Sequence, residues 1–402
     1  MNLKRMLKRN ARLLIVSFSM LFFFLSLTGI SAAQETSLTE LPNQPTVICQ
    51  PGTTGANQDF CVAIPAQTTG GNLPGAEVSG SAGKTGNVFA PKTIDPELSV
   101  VPYSYAKLNL ESFENAPLYG SAADAIAGTN PINVIPAGGI RYVSYVNRGD
   151  SGGGHYVQTK EGAWLRASPA LIPTATLGRT FDTTPPNYFG WVFESCNPYR
   201  EPNYNNGVDT TVWYNREEVL EVFEIVQNES SIWFKVGENQ WMDRIHFRVA
   251  RFNTTTPAGV LSDRWIELDL QEQVVMVYDK NELVYATMVA TGMEPFYTQP
   301  GVFQIYEKKE VEDMTGAFEA DKSDFYSLQD VPFALYHDQE RAFHGAYWRA
   351  WYGFEQSHGC INMSIGDAHW LYNWANIGDY VYIHDPSGVT PTDPSYYGAG
   401  GA

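Results

Sequence analysis

A chain of 402 residues exceeds what one ordinary hydrophobic core serves, so two to four domains are expected. Its hydrophobic share of 44% and aromatic share of 13% are those of a globular protein. A formal charge of −18 argues against a nucleic-acid partner, whose phosphates need a basic surface, but identifies no substrate by itself.

Residues 1–33 read as an export signal. Lys4, Arg5, Lys8, Arg9 and Arg12 form a positive leading region, and Leu13 to Ile30 is an unbroken run of apolar and small residues. Ser31-Ala32-Ala33 then supplies the small residues a signal peptidase prefers. The run 13–30 is also long enough to remain as a membrane tether. Either outcome places the rest of the chain outside the cell, in the envelope or beyond it.

Residues 34–97 are rich in Gly, Thr, Pro, Ala and Ser and poor in large apolar residues, which reads as a flexible linker. Within it, Cys49 and Cys61 either close a small loop in an oxidising compartment or stand as two free thiols. Cys196 has no evident partner in the sequence.

Two β-rich stretches follow, at 98–180 and 181–258, with a weak internal echo. The first runs Tyr142-Val-Ser-Tyr-Val146, a Gly-rich turn, His155-Tyr-Val157 and Gly162-Ala-Trp-Leu165. The second runs Val222-Phe-Glu-Ile-Val226, a polar turn, Ile232-Trp-Phe-Lys-Val236 and Gln240-Trp-Met242. Alternating apolar strands, tight turns and a closing Trp suit small β-barrels. Each stretch resembles a bacterial Src-homology-3-like module, and that resemblance implies wall binding or spacing; the alternative is that the aromatics are only core.

The region 259–386 carries the clearest pattern. Trp265-Ile-Glu-Leu-Asp-Leu270 alternates strictly, as a half-buried strand does. Gln273–Tyr278, the turn Asp279-Lys-Asn-Glu282 and Leu283–Ala290 spell a hairpin, and Val302–Tyr306 and Val331–Tyr336 are further strands. Ser364-Ile-Gly-Asp367 is a capping box opening a helix whose apolar face is Ala368, Leu371, Trp374 and Ala375, with Gly378 as its stop. The strand Tyr380-Val-Tyr-Ile383 follows, and residues 387–402 form a Pro/Gly/Ser tail without a core. The expected fold class is therefore mostly β, with one short helix late in the chain.

The chemistry concentrates in Phe343-His-Gly-Ala-Tyr-Trp348 and Ser357-His-Gly-Cys-Ile-Asn362. A thiol is mostly protonated at neutral pH and attacks a carbonyl only with help from an imidazole, a dipole, or both. Cys360 precedes a helix start and has two candidate bases. His358 lies two residues away, where a turn at Gly359 can send it apart, while His344 approaches from a separate strand; geometry favours His344. Gly359 lets backbone come close to a substrate, and the amides of Gly359 and Cys360 are candidates for an oxyanion hole. A zinc site of His344, His358 and Cys360 lacks a fourth ligand, so no metal is expected.

His344-Gly345 followed by Ser357-His-Gly-Cys-Ile-Asn-Met363 resembles the signature of the L,D-transpeptidase (YkuD-like) catalytic domain. Trp265–Leu270 with Gln273, Thr291-Gly292, Val331-Pro332 and Gly378-Asp379 support the resemblance, which covers about 259 to 385. Thr298-Gln-Pro-Gly301 departs from the family's more usual Thr-Pro-x-Gly, and the acidic insertion between Glu307 and Asp330 reads as a lid or a surface loop. The resemblance implies a β-sandwich with a short helix after the nucleophile, and acyl transfer without a cofactor. Cys360 would attack a peptidoglycan tetrapeptide stem as donor, and an amine of a neighbouring stem would resolve the thioester. His344 would be the base, oriented by the Gly345 carbonyl, and Trp348, Tyr336, Ser357 and Asn362 would lie at or beside the substrate cleft. Two other outcomes stay open: transfer of the same acyl group to water, and a non-catalytic wall-binding protein.

Overall fold

The computed structural model describes residues 89, 91–173, 176–317, 322 and 324–397, with the backbone of two short strands at Thr46–Cys49 and Cys61–Ala63. The expected export signal, the run 13–30 and the side chains of Cys49 and Cys61 lie outside the described residues. Among the described residues no helix is long and apolar enough to cross a membrane.

Two seven-stranded sheets face each other in the C-terminal part. The first runs, edge to edge, Gly301–Gln304, Tyr380–His384, Trp265–Asp269, Val274–Asp279, Glu282–Met288, Arg179–Thr180 and Lys92–Thr93. The second runs Ser168–Pro169, Ser104–Lys107, Ile140–Tyr145, Tyr326–Asp338, Arg341–Gly345 and Ile361–Met363, with Glu307–Gly316 paired to Tyr326–Asp338. Ile266, Leu268, Val275 and Val277 of the first sheet pack against Ala334, Leu335, Phe343 and Ile361 of the second. The helix Ile365–Trp374 adds Ile365, Ala368 and Leu371 to the same core.

Local sequence explains these elements. Lys280 and Asn281 both have positive φ, the conformation that a two-residue hairpin turn between Asp279 and Glu282 needs. Ser364 caps the helix by accepting the Asp367 N–H at 3.2 Å, while its hydroxyl donates to the Asp367 carboxylate at 2.6 Å. The helix ends earlier than expected: Ala375 is its cap and Gly378 lies beyond it, because Asn376 and Asp379 already bond within a following turn. The insertion after Glu307 is no irregular loop but a long antiparallel hairpin arm, Glu307–Gly316 against Tyr326–Asp338.

One strand departs from its sequence pattern. All five residues of Trp265–Asp269 are buried, because both faces of the first sheet are covered. Trp265, Met276, Tyr278 and Met288 pack on Tyr188, Phe189, Trp191 and Phe247 from the preceding region. The polar residues on that face are paired: Glu267 with His384 at 2.9 Å and Asp269 with Arg251 at 3.1 Å.

The stretches 98–180 and 181–258 do not form two like barrels, and their strand orders do not confirm the Src-homology-3-like resemblance. Ser104–Lys107 and Ile140–Tyr145 join the second seven-stranded sheet, Ile140–Tyr142 running parallel to Tyr326–Leu328. Five other strands of the first stretch make their own sheet over Val143, Val157 and Leu165. In the second stretch Tyr188–Val192 sits between Val219–Val222 and Phe247–Ala250, while Glu224–Gln227, Ile232–Gly237 and Gln240–Asp243 form a separate meander. Strands Thr46–Cys49 and Cys61–Ala63 extend that meander from within the expected linker. In the expected tail, a 3-10 turn forms at Pro394–Tyr396, and Arg341 lies 5.4 Å from the Tyr397 ring.

Candidate active site

The histidine and the cysteine arrive on neighbouring parallel strands. Arg341–Gly345 pairs with Ile361–Met363 in the register Phe343↔Ile361, His344↔Asn362 and Gly345↔Met363. Cys360 directly precedes the latter strand, two residues before Asn362, which stands opposite His344. On the other side of the cysteine strand, Ala290 bridges Asn362 and Gly292 bridges Ser357.

The Ser357–Cys360 turn is held from within and from outside. The Ser357 hydroxyl donates to the Cys360 carbonyl at 2.5 Å and accepts the Gly359 N–H at 3.2 Å. Gly359 has φ of +117°, and its carbonyl accepts from the Thr298 hydroxyl at 2.8 Å. Thr298 in turn accepts the Gly292 N–H at 3.0 Å. Of the two amides expected to form an oxyanion hole, that of Gly359 is thus committed to Ser357.

Cys360 is 1% exposed and His344 0%. The sulfur accepts the Ala342 N–H at 3.4 Å and faces the Glu340 carbonyl at 3.6 Å. Burial pushes the thiol up to about 12, against the opposing pull of the Ala342 amide and Arg341. Burial pushes the His344 imidazole down to about 4; the Gly345 carbonyl opposes this and Arg349 adds to it. His344 Nδ1 lies 3.4 Å from the Gly345 carbonyl and Nε2 lies 3.1 Å from the Asn362 side-chain nitrogen. Burial in this conformation thus opposes the expected ionisation of the sulfur by an imidazole. Both groups are neutral and are not hydrogen-bonded to each other, because each sits where a charge would be stripped of water. The helix start does not change this, since the strand Ile361–Met363 intervenes before the cap at Ser364.

His358 goes elsewhere, as the turn at Gly359 permits. Its ring stacks on Tyr326 at 5.8 Å and tilts against Phe296 at 4.9 Å, with Nε2 4.0 Å from Asp324. Burial lowers its pKa and Asp324 opposes that. Trp348 is half-buried with its ring 5.7 Å from that of His344. Tyr336 stands opposite Ala342 in the register and donates to Glu312 at 2.6 Å. Ser357 and Asn362, expected at the cleft, are 2% and 1% exposed and spend their polar atoms inside the protein. They frame the site and present nothing to a ligand in this conformation.

Sequence reasoning missed Arg349. Its Nε donates to Asn362 Oδ1 at 2.5 Å and its terminal nitrogens donate to the Gln356 side chain at 2.7 Å and the Gln356 carbonyl at 2.6 Å. Burial pushes this guanidinium down to about 10. The available signal was an arginine placed inside the aromatic run Tyr347-Trp-Arg-Ala-Trp-Tyr352. Among the described residues no cluster of three or more His, Cys, Asp or Glu side chains could hold a metal ion.

Comparison with known proteins locates the family. The L,D-transpeptidase catalytic domain (YkuD) matches residues 263–383. Among solved structures, an L,D-transpeptidase from Stackebrandtia nassauensis is 22% identical, covers 32% of this chain and 58% of its own, and has a TM-score of 0.25. One from Enterococcus faecium is 23% identical over 34% of this chain and 55% of its own, with a TM-score of 0.29. One from Mycobacterium smegmatis is 16% identical over 59% of this chain and 79% of its own, with a TM-score of 0.29. The chain thus spans little more than half the length of the first two. No curated protein matches it. The family model is the one match that bears on function: residues 263–383 are similar to the L,D-transpeptidase catalytic domain.

Proposed function

We propose that the protein is an exported L,D-transpeptidase acting on peptidoglycan stem peptides through a Cys360 thioester. What supports this reading is the pairing of the His344 strand with the strand that directly follows Cys360, inside the matched region. Neighbouring strands lie about 4.8 Å apart and a two-residue offset adds about 6.6 Å, a span that side-chain rotation closes.

The reaction begins when the sulfur leaves Ala342 and Glu340 and its proton passes to His344 Nε2. The sulfur electron pair then forms the C–S bond at the carbonyl of the third stem residue, and the Cys360 N–H faces the oxygen that gains the charge. The C–N bond to the terminal D-alanine breaks, and that amine leaves with the proton held by His344. An acceptor amine attacks the thioester, His344 takes the amine's proton, and the departing sulfur recovers it. Neutral partners suit this route, since a proton that moves only during attack requires no buried ion pair beforehand.

The resting separation of sulfur and imidazole favours one other reading, a wall-binding protein whose thiol is structural. Incubation with tetrapeptide fragments separates them by mass spectrometry. Cross-linked dimers that disappear in Cys360→Ala are expected. Trimmed tripeptide without dimers would assign a hydrolase, and unchanged substrate would leave wall binding alone.

A further inference from the structure

Arg349 makes no contact with His344, yet its bonds dictate which nitrogen of that ring carries the proton. A guanidinium has only donors, so the side-chain atom of Asn362 that it meets at 2.5 Å must be the carbonyl oxygen. The amide nitrogen then has to face His344, where it stands 3.1 Å from Nε2. An amide NH2 only donates, so Nε2 must be the unprotonated nitrogen, and the ring proton is on Nδ1, 3.4 Å from the Gly345 carbonyl. Without Arg349, Asn362 is free to turn end for end and offer its oxygen to Nε2, which then keeps a proton and cannot take one from a thiol.

We infer that Arg349 is a positioning residue that fixes His344 as the Nδ1–H tautomer through the orientation of Asn362, so that Nε2 carries no proton of its own and takes the Cys360 proton once the Asn362 amide yields that position. The inference deepens the acyl-transfer reading and rests on it for its catalytic meaning. The geometry is specific in two ways. Arg349 is itself locked by two bonds to Gln356, so its Nε is presented to Asn362 in one orientation. Asn362 is held by the main-chain bridge to Ala290, whose N–H donates to the Asn362 carbonyl at 3.0 Å and whose carbonyl accepts the Asn362 N–H at 2.8 Å. With backbone and guanidinium both fixed, the orientation of the Asn362 amide has one solution.

The test is nitrogen NMR of the histidine-labelled full chain, reading the tautomer of His344 directly. Wild type is expected to show a protonated Nδ1 and a bare Nε2. Arg349→Met is expected to move His344 toward the Nε2–H form and to slow thiol acylation by a carbapenem about a hundredfold. Added guanidinium is expected to restore both in part. Gln356→Ala, which removes one prop of the loop but leaves the bond to Asn362, is expected to keep the wild-type tautomer. Should Arg349→Met fail to fold, Asn362→Asp carries the same test, because a carboxylate facing Nε2 demands a proton there. A wild-type tautomer retained in folded Arg349→Met, or in Asn362→Asp, would overturn the inference. An acylated wild type with that result would leave acyl transfer standing, and a shifted tautomer without any acylation would overturn acyl transfer and leave the tautomer assignment standing.

Discussion

The Asn362 amide sits on His344, its nitrogen 3.1 Å from Nε2, while the sulfur two residues earlier is bonded to Ala342 and faces Glu340; in the proposed acyl transfer the thiol takes the position that Asn362 holds. The resting site is a closed one. Its polar groups satisfy each other, and the pair that would react is kept neutral and apart.

That neutrality has a consequence for acid stability. His344 is pushed down to about 4 and His337 to about 3, each chiefly by burial. A histidine whose folded pKa is depressed charges first in the unfolded chain, so its contribution is complete above the ordinary value near 6.5 and is lost as pH falls through about 4. The His344 part is on the order of 3 kcal/mol. Thermal melts from pH 7.5 down to 4 are expected to fall steadily, and His344→Gln is expected to flatten part of that slope. An equally steep slope in the variant would contradict the assignment of a neutral buried imidazole.

Thiol reactivity follows from the same burial. Cys360 is pushed up to about 12 and is 1% exposed. At pH 8 its alkylation by iodoacetamide is expected to be at least about a hundredfold slower in the folded protein than in urea. Peptide mapping gives the rate site by site, and a folded-state rate close to that in urea would mean an open, ionised thiol.

Gly292 packs against the Ser357–Cys360 turn. A Cβ there would meet the Phe296 carbonyl oxygen at 2.1 Å, the Thr298 nitrogen at 2.7 Å and Gly359 Cα at 2.8 Å. All three are backbone, so Gly292→Ala forces the Gly359–Cys360 segment to shift, at a cost of about 1–3 kcal/mol. Chemical denaturation and carbapenem acylation are both expected to suffer, the second more than the first. A variant with unchanged acylation would show that the turn tolerates displacement.

Asp367 ties the helix to strands distant in sequence. Its carboxylate accepts from Ser364, Tyr285, Thr287 and the main-chain N–H groups of Leu177 and Gly178, at 2.6 to 3.2 Å. Asp367→Ala strands several buried donors at once and is expected to cost on the order of 3 kcal/mol or more, measured in urea. A loss below about 1 kcal/mol would mean that other groups take over those donors.

The helix after Cys360, the hairpin around Lys280-Asn281 and the histidine strand were legible because each is written in local terms: a cap, a turn pair and an apolar alternation. The double burial of Trp265–Asp269 was not, since it depends on Tyr188, Trp191 and Phe247 arriving from far earlier in the chain. The strand partners of the two central stretches were hidden for the same reason. Ile140–Tyr145 resembles a strand of a separate barrel by pattern, but it pairs with Tyr326–Leu328 as well as with Ser104–Lys107. At the site, spacing pointed to His344 and Cys360 on neighbouring segments and left two things hidden. Burial, which makes both neutral, is a property of the assembled core, and Arg349 acts through Asn362, a relation no run of residues displays.

The central claim is that Cys360 forms a covalent acyl-enzyme, and intact mass spectrometry of the full chain after incubation with a carbapenem tests it most directly. The account predicts a wild-type mass increased by that of one carbapenem, mapped to the Cys360 peptide and absent in folded Cys360→Ala. An unmodified wild type, or an adduct that persists in Cys360→Ala, would contradict it.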